Sequence, residues 1–309
     1  MRQDSKKILT ITGLTLTIAA GWLVYGVRYD ALDAYRAWRR GPIPVAVGRL
    51  EFNRAVSGVP TAQAEEEIIV DLVVEPAADQ TDNATTIAEP DDENQSEPDS
   101  VPEPVTETTA TESTIDERPF DLAETINLRV PFMIQAPQQN WDELHGEACE
   151  EASSIMLAAY YNDEAEITVE EAEARIMDAV TYEAETLGYH LDTTADETVQ
   201  MLREHFEIAG ATVVEIDSID DIRERLNAGH PVIVPAYGKA LGNPNFRNGG
   251  PLYHMLVIKG YTATHFITND PGTRRGADYI YDFDTLFSAI HDWNGGDVPN
   301  GRKVMITAK

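Results

Sequence analysis

The sequence predicts an α+β domain of about 190 residues, with helices in its first half and strands in its second. From about Phe120 the composition becomes that of a folded domain, which is long enough to bury a hydrophobic core. Apolar residues first recur at helical spacing and later form short continuous runs. Because parallel α/β folds alternate helices and strands regularly, this order favours an α+β fold with a C-terminal antiparallel sheet.

The individual elements follow from capping residues and from apolar patterns. Residues 127–134 are predicted to be a strand or an extended segment. Helices are predicted at residues 149–161, 168–185, 194–206, 218–229 and 282–290, with capping boxes opening the second and fourth. Strands are predicted at residues 211–216, 231–236, 254–261, 265–268 and 303–307. Residues 238–251, rich in Gly and Asn, are expected to form a mobile loop lining the substrate cleft.

Four regions are predicted along the chain. They are an N-terminal membrane anchor at residues 1–30, a juxtamembrane segment at 31–63, an acidic disordered linker at 64–118 and the folded domain at 119–309. The linker holds 18 Asp and Glu residues and no Lys or Arg between Glu65 and Glu117, so it cannot bury enough apolar surface to fold. The net charge of −31 argues against nucleic-acid binding, which needs a basic surface.

The predicted anchor rests on residues 8–27, a run of 20 residues without a charge. Such a run is long enough to cross a bilayer as a helix. Lys6 and Lys7 favour a cytoplasmic N-terminus, whereas the arginines that follow the run favour the opposite orientation. We interpret the chain as a single-pass membrane protein with its domain outside the cytoplasm. A cleavable signal peptide is the alternative, but no small-x-small cleavage site follows a short apolar core.

Cys149 is the only cysteine of the chain and stands where a polar loop gives way to a helical pattern. The N-terminus of a helix favours a thiolate over a thiol, because unpaired N–H groups and the helix dipole point at it. A lone cysteine cannot form an intrachain disulfide. Cys149 is therefore either a reactive nucleophile or a small buried core residue.

A thiolate nucleophile needs a base and a group that orients the base. Among seven histidines, His254 opens a strongly apolar predicted strand directly after the glycine-rich loop, although an ordinary strand-end histidine would look the same. Asp270 lies in an Asn-Asp-Pro-Gly run after the next strand, which can equally be a simple turn. Two neighbouring antiparallel strands would bring His254 and Asp270 to opposite or adjacent positions, depending on register.

Several short motifs, in this order and spacing, resemble the bacteriocin-processing (double-glycine leader) peptidase-like family of papain-like cysteine peptidases. They are Val-Pro-Phe at 130–132, Gln-Ala-Pro at 135–137, Trp-Asp at 141–142, Ala-Cys-Glu-Glu-Ala-Ser at 148–153 and Asn-Asp-Pro-Gly at 269–272. The resemblance covers about residues 130–290. It implies a papain-like fold, with a helical N-terminal half and an antiparallel C-terminal sheet.

The resemblance also implies a role for each site residue. Cys149 would be the nucleophile, His254 its base and Asp270 the residue that orients the imidazole. Gln135 would donate its side-chain amide to the oxyanion hole, with Gln138 and Gln139 as rivals for that role. The implied mechanism requires no cofactor and acts on a peptide or protein substrate. The sequence lacks the ATP-binding motif of peptide-exporting relatives, so leader removal during export is not implied.

Glu150 and Glu151 depart from the family, many of whose members have Gly after the cysteine. We interpret them as an acidic first turn that caps the helix electrostatically. Exposure to solvent and selection of a basic substrate are the alternatives, and carboxylates beside a thiolate would work against its activation. No HExxH, CxxC, GxSxG or phosphate-binding glycine motif points to another chemistry.

The sequence therefore predicts a membrane-tethered cysteine peptidase that works through a thioester acyl-enzyme. Two alternatives use the same fold and cleft. One is a non-catalytic module that binds peptide or envelope polymer, and the other is a cell-wall amidase or transpeptidase.

Overall fold

The computed structural model describes residues 42–57 and 122–308. The predicted anchor at residues 8–27 and the acidic linker lie outside these ranges. Within residues 42–57 and 122–308, no helix is both long enough and apolar enough to cross a membrane.

The helices of the described residues mostly begin where capping residues predict them. They are α1 (Arg49–Ser57), α2 (Glu143–Gly146), α3 (Cys149–Tyr161), α4 (Val169–Thr186), α5 (Ala195–Glu204), α6 (Ile219–Asn227) and α7 (Phe283–Ala289). Thr168, Thr194 and Ser218 each close a full capping box, which satisfies N–H groups that the first helical turn leaves unpaired. Short 3₁₀ turns lie at Gly238–Leu241, Arg247–Gly249 and Val298–Asn300.

The strands form one seven-stranded antiparallel sheet. They are β1 (Ile126–Asn127), β2 (Thr212–Glu215), β3 (Val232–Tyr237), β4 (Tyr253–Tyr261), β5 (His265–Asn269), β6 (Tyr279–Asp282) and β7 (Val304–Thr307). The order is β2-β7-β3-β4-β5-β6, and the short β1 also pairs with β4. Gly260 permits that last pairing, because a Cβ there would meet the carbonyl oxygen of Ile126 at 2.2 Å.

Helix α3 and strand β4 form the centre of the core. Every residue of α3 from Cys149 to Tyr160 is buried, and every residue of β4 is buried as well. The two elements pack against each other. Each fully buried large side chain contributes about 1.5–3 kcal/mol. Helix α3 is therefore buried along its length, and this packing fixes the position of Cys149, its first residue.

The structure differs from the sequence-based expectation, or adds to it, in several places. Of residues 127–134, only the start pairs as a strand, and the amide of Asn269 holds the extended remainder by donating to Val130 and Pro131. Strand β6 was not predicted. Residues 42–57, assigned from the sequence to a juxtamembrane segment, pack on the domain. Val47 bridges to Leu128 and Arg49 pairs with Asp163.

Candidate active site

Cys149 is the first residue of α3 and is only 5% exposed. Its N-cap residue, Ala148, has no side chain that could occupy the free N–H groups of the first turn. Those groups and the positive end of the helix dipole remain available to an anion formed near the sulfur.

The thiol of Cys149 is occupied by its neighbour in this structure. Sγ donates to Oε2 of Glu150 at 2.8 Å, and Oε1 of Glu150 accepts from the N–H of Thr193 at 3.1 Å. Burial and the adjacent Glu150 carboxylate raise the pKa of Cys149 well above its ordinary value, while the N–H of Met255 acts in the opposite direction. The raised pKa therefore favours the protonated form of the Cys149 thiol, which is held against Glu150.

Glu150 and Glu151 are buried, at 2% and 1% exposure, and neither lines the cavity described below. Exposure to solvent and selection of a basic substrate are therefore wrong, whereas both residues do lie in the first turn of α3, as the interpretation of electrostatic capping expects. Residues on the first turn of a helix are usually exposed, but α3 runs through the core and carries both carboxyls inside with it.

Glu183 on α4 completes a buried carboxyl cluster with Glu150 and Glu151. Burial, with the charges of Glu183 and Asp192, raises the pKa of Glu150 to about 8, and burial raises the pKa of Glu183 to about 7. Glu151 and Glu183 interact within this cluster, and a hydrogen bond between the two carboxyl groups requires a proton carried by one of them. Burial and the Glu183 charge raise the pKa of Glu151, which makes Glu151 the group that keeps the proton.

His254 and Asp270 form a buried hydrogen-bonded pair, with 2.9 Å between Nε2 and Oδ1. The register places Val257 opposite Asn269, so the start of β4 and the residue after β5 lie at the same end of the sheet. This register resolves the ambiguity that the sequence left open. Because Nε2 faces the carboxylate, Nδ1 is the ring nitrogen that remains to exchange a proton.

Asp270 accepts three further hydrogen bonds. The donors are the Tyr281 hydroxyl at 2.5 Å, the Asn243 amide at 3.2 Å and the Gly272 N–H at 3.0 Å. Burial alone would raise the pKa of Asp270, but the interaction with His254 and the hydrogen bonds from His254, Tyr281 and Gly272 outweigh it and hold the pKa below its usual value. Asp270 therefore stays a carboxylate and can fix the orientation and tautomer of His254.

Two further residues fix the position of the imidazole. Phe246 meets it edge to face, with 5.2 Å between ring centroids. A Cβ at Gly272 would lie 2.9 Å from Cε1 of His254 and 2.9 Å from the Phe246 ring. Glycine at this position thus lets the Asn-Asp-Pro-Gly turn pass directly beside the imidazole.

Gln135 lines the same cavity, but its amide is already engaged. Nε2 donates to the carbonyl oxygens of His145 at 3.0 Å and Gly146 at 2.8 Å, which uses both of its N–H bonds. Service in an oxyanion hole would require one of them to be released. Gln138 and Gln139 are exposed and do not line the cavity.

A cavity of about 620 Å³ brings the predicted residues together. Gln135, Cys149 and His254 line it, with Asp270 behind the histidine. The loop predicted to line the cleft supplies much of one wall, including Asn245, Phe246, Asn248 and Pro251. Among residues 42–57 and 122–308, no group of three or more His, Cys, Asp or Glu side chains is placed to hold a metal ion.

Sequence reasoning missed Asn243 and Tyr281, which bind Asp270 and each other, with 2.8 Å between Nδ2 and the hydroxyl oxygen. Asn243 lies in a loop whose Asn and Gly content signals only irregular structure. Tyr281 belongs to the unpredicted strand β6. Neither carries a local pattern that would single it out.

The model of the Peptidase_C39 like family matches residues 127–295, which is more than half of the chain. This chain belongs to the Peptidase_C39 like family. The match is to the C39-like group as a whole and does not single out its bacteriocin-processing members, so the finer resemblance is not shown.

Among solved structures, this chain is similar to a chain from Bacillus anthracis that is assigned to the C39-like peptidases. The two chains share 16% sequence identity, and the TM-score is 0.40. The similarity covers 60% of this chain and 98% of the other. No protein with a curated description matches the chain.

Proposed function

We propose that this C39-like chain is a cysteine peptidase that cleaves peptide bonds with Cys149 as nucleophile, His254 as base and Asp270 as the residue that orients it. The observation that carries the proposal is the buried His254–Asp270 pair at the wall of a cavity that Cys149 also lines. A thiol at a helix N-terminus and an imidazole fixed by a carboxylate are what thioester chemistry needs.

In the proposed reaction, Nδ1 of His254 takes the thiol proton and the thiolate attacks the peptide carbonyl. The resulting oxyanion lies near the free N–H groups of the first turn of α3, with Gln135 as a second donor once it releases a carbonyl. The C–N bond then breaks, and His254 passes its proton to the leaving amine. Water, deprotonated by His254, attacks the thioester, which releases the carboxylate product and restores the thiol.

A second function is favoured by one specific observation. The thiol donates to Glu150 and its pKa is raised, so the resting cysteine is not activated. A module that binds peptide or envelope polymer in the same cavity would retain such a thiol permanently. A peptidase would release the thiol proton from Glu150 and transfer it to His254 during turnover.

The reaction of Cys149 with iodoacetamide distinguishes these two functions. On the full chain without substrate, a peptidase gives alkylation below about pH 8.5 that falls in His254→Ala. Its peptide hydrolysis is lost in both Cys149→Ala and His254→Ala. His205→Ala is the matched control, since His205 lies away from the cavity and pairs with Asp178. Alkylation that ignores His254, together with peptide hydrolysis that survives Cys149→Ala, would exclude the proposed peptidase.

We also propose that residues 8–27 anchor the chain in a membrane with the domain outside the cytoplasm. The support is the uncharged run itself and the lysines before it. Membrane fractionation of the full chain and of a variant lacking residues 8–27 tests the anchor, and protease added to intact cells tests the orientation. Recovery of the full chain in the soluble fraction would contradict the anchor.

A further inference from the structure

Three arginines stand at the mouth of the cavity, and no Asp or Glu residue lines it. Arg247, Arg274 and Arg275 are exposed, and we call them the arginine rim. The chain as a whole carries 54 acidic and 23 basic residues. A lining with only positive charge is therefore contrary to the composition of the chain.

Arg247 is positioned by an aromatic ring. Its guanidinium carbon lies 5.6 Å from the ring centroid of Trp141, which also lines the cavity. Such a contact holds the side chain by attraction to the ring face and leaves its positive charge unneutralised. Arg247 thus has a preferred position with its hydrogen-bond donors still available.

Arg274 is positioned by an amide. Its Nη1 donates to Oε1 of Gln139 at 2.8 Å, which again leaves the charge uncompensated. The two loops involved are tied together close to Cys149, because the N–H of Gln135 donates to the carbonyl oxygen of Pro271 at 3.0 Å. Arg275 follows directly in the chain and adds a third positive charge to the lining of the cavity.

The arginine rim differs from the other arginines of the domain. Within the described part of the chain, no carboxylate forms an ion pair with Arg247, Arg274 or Arg275. Most of the other arginines there have such a partner, among them Arg49, Arg175, Arg223 and Arg302. Guanidinium groups held by neutral partners are prepared to bind carboxylates, because their planar fork matches a carboxylate in two hydrogen bonds.

We propose that the cavity selects peptide segments bearing Asp or Glu side chains, whose carboxylates bind the arginine rim beside the cleaved bond. This inference rests on the proposed peptidase function, for which it names the substrate class. Glu150 and Glu151 are buried and do not line the cavity, so no carboxylate of the lining opposes it. The carboxylates of the substrate supply the charge that the rim lacks.

The test compares two synthetic peptide pools of equal length, both amidated at the C-terminus. One pool contains Asp and Glu, and in the other these are replaced by Asn and Gln. Binding is measured by fluorescence anisotropy with full-length Cys149→Ala in detergent at fixed ionic strength, and hydrolysis is measured with the unaltered chain. An exposed ion pair contributes up to about fivefold in affinity, so two or three pairs give a preference of between about twofold and about a hundredfold for the acidic pool.

The variant Arg247→Gln/Arg274→Gln/Arg275→Gln, combined with Cys149→Ala for binding, should remove the preference for the acidic pool. The control variant Arg175→Gln removes one positive charge on α4, away from the cavity, and should still prefer the acidic pool. Equal binding of both pools, or a preference that survives the triple substitution, would overturn the inference. Selective binding without hydrolysis would support the inference for the cavity while refuting the proposed peptidase.

Discussion

Replacing Glu150 by Gln should make Cys149 more reactive at alkaline pH. In the unaltered chain the Glu150 carboxyl, with a pKa of about 8, is mostly ionised at pH 9 and lies 2.8 Å from the sulfur. A thiolate formed there meets a negative charge in a buried site. Gln keeps the shape of the side chain, can still accept from Thr193, and turns an amide N–H toward the sulfur.

The expected size of the effect follows from Coulomb's law. Two unit charges about 4 Å apart repel by about 4 kcal/mol at an effective dielectric constant of about 20. Each 1.4 kcal/mol is a factor of about ten in thiolate population. We therefore expect Glu150→Gln to raise the rate of iodoacetamide alkylation at pH 9 by between about tenfold and about a thousandfold. At pH 6, where Glu150 carries its proton, the two rates should converge.

The assay follows alkylation by mass spectrometry from pH 6 to pH 9.5 on the full chain. Glu183→Gln is the matched control, because it makes the same exchange in the same carboxyl cluster without contacting the sulfur, and its rate at pH 9 should match the unaltered chain. A Glu150→Gln rate equal to that of the unaltered chain at every pH, or slower at pH 9, would refute the reasoning.

Other predictions concern the support of His254 and the core. Tyr281→Phe should lower the free energy of unfolding by about 2 kcal/mol in chemical denaturation at pH 7, because Asp270 loses a charge-assisted hydrogen bond. Because the pKa of Asp270 is lowered in the folded chain, its carboxylate stabilises the fold above the unfolded pKa near 3.8, and this stabilisation should be lost as pH falls below that value. The melting temperature of Asp270→Asn, measured over the same pH range, should not show this loss. Gly272→Ala should reduce kcat/KM by about tenfold or more with little change in melting temperature, since its Cβ displaces His254. Ile155→Ala, fully buried in α3, should cost about 2–5 kcal/mol in the same denaturation assay.

The sequence predicted the elements that local chemistry specifies. Thr168, Thr194 and Ser218 mark helix starts by their own hydrogen bonds, so the corresponding helices lie where expected. Strand β6 begins just after Asp278, which adopts a left-handed φ of 48°, and its pairing depends on a partner strand rather than on its own pattern.

The sequence could predict only those site residues whose own type and position indicate their chemistry. Cys149, His254 and Asp270 stand out by residue type and position, and the structure brings their elements together. The burial of Glu150 and Glu151 could not be read from the sequence, because it depends on how far α3 passes into the core. The partners of Asp270 come from a distant loop and strand, so only the tertiary fold reveals them.

The packing of residues 42–57 on the domain changes what the acidic segment can do. Val47 pairs with Leu128, and Phe52 lies against Gly229, so residues on both sides of 58–121 belong to one folded body. Because both ends of residues 58–121 join this body, the length of that segment does not change the distance between the domain and the N-terminal residues. If residues 8–27 cross a membrane, only residues 28–41 connect the two, and a fully extended chain of that length spans at most about 50 Å. The domain would then lie within about 50 Å of the bilayer, whatever the length of the acidic segment.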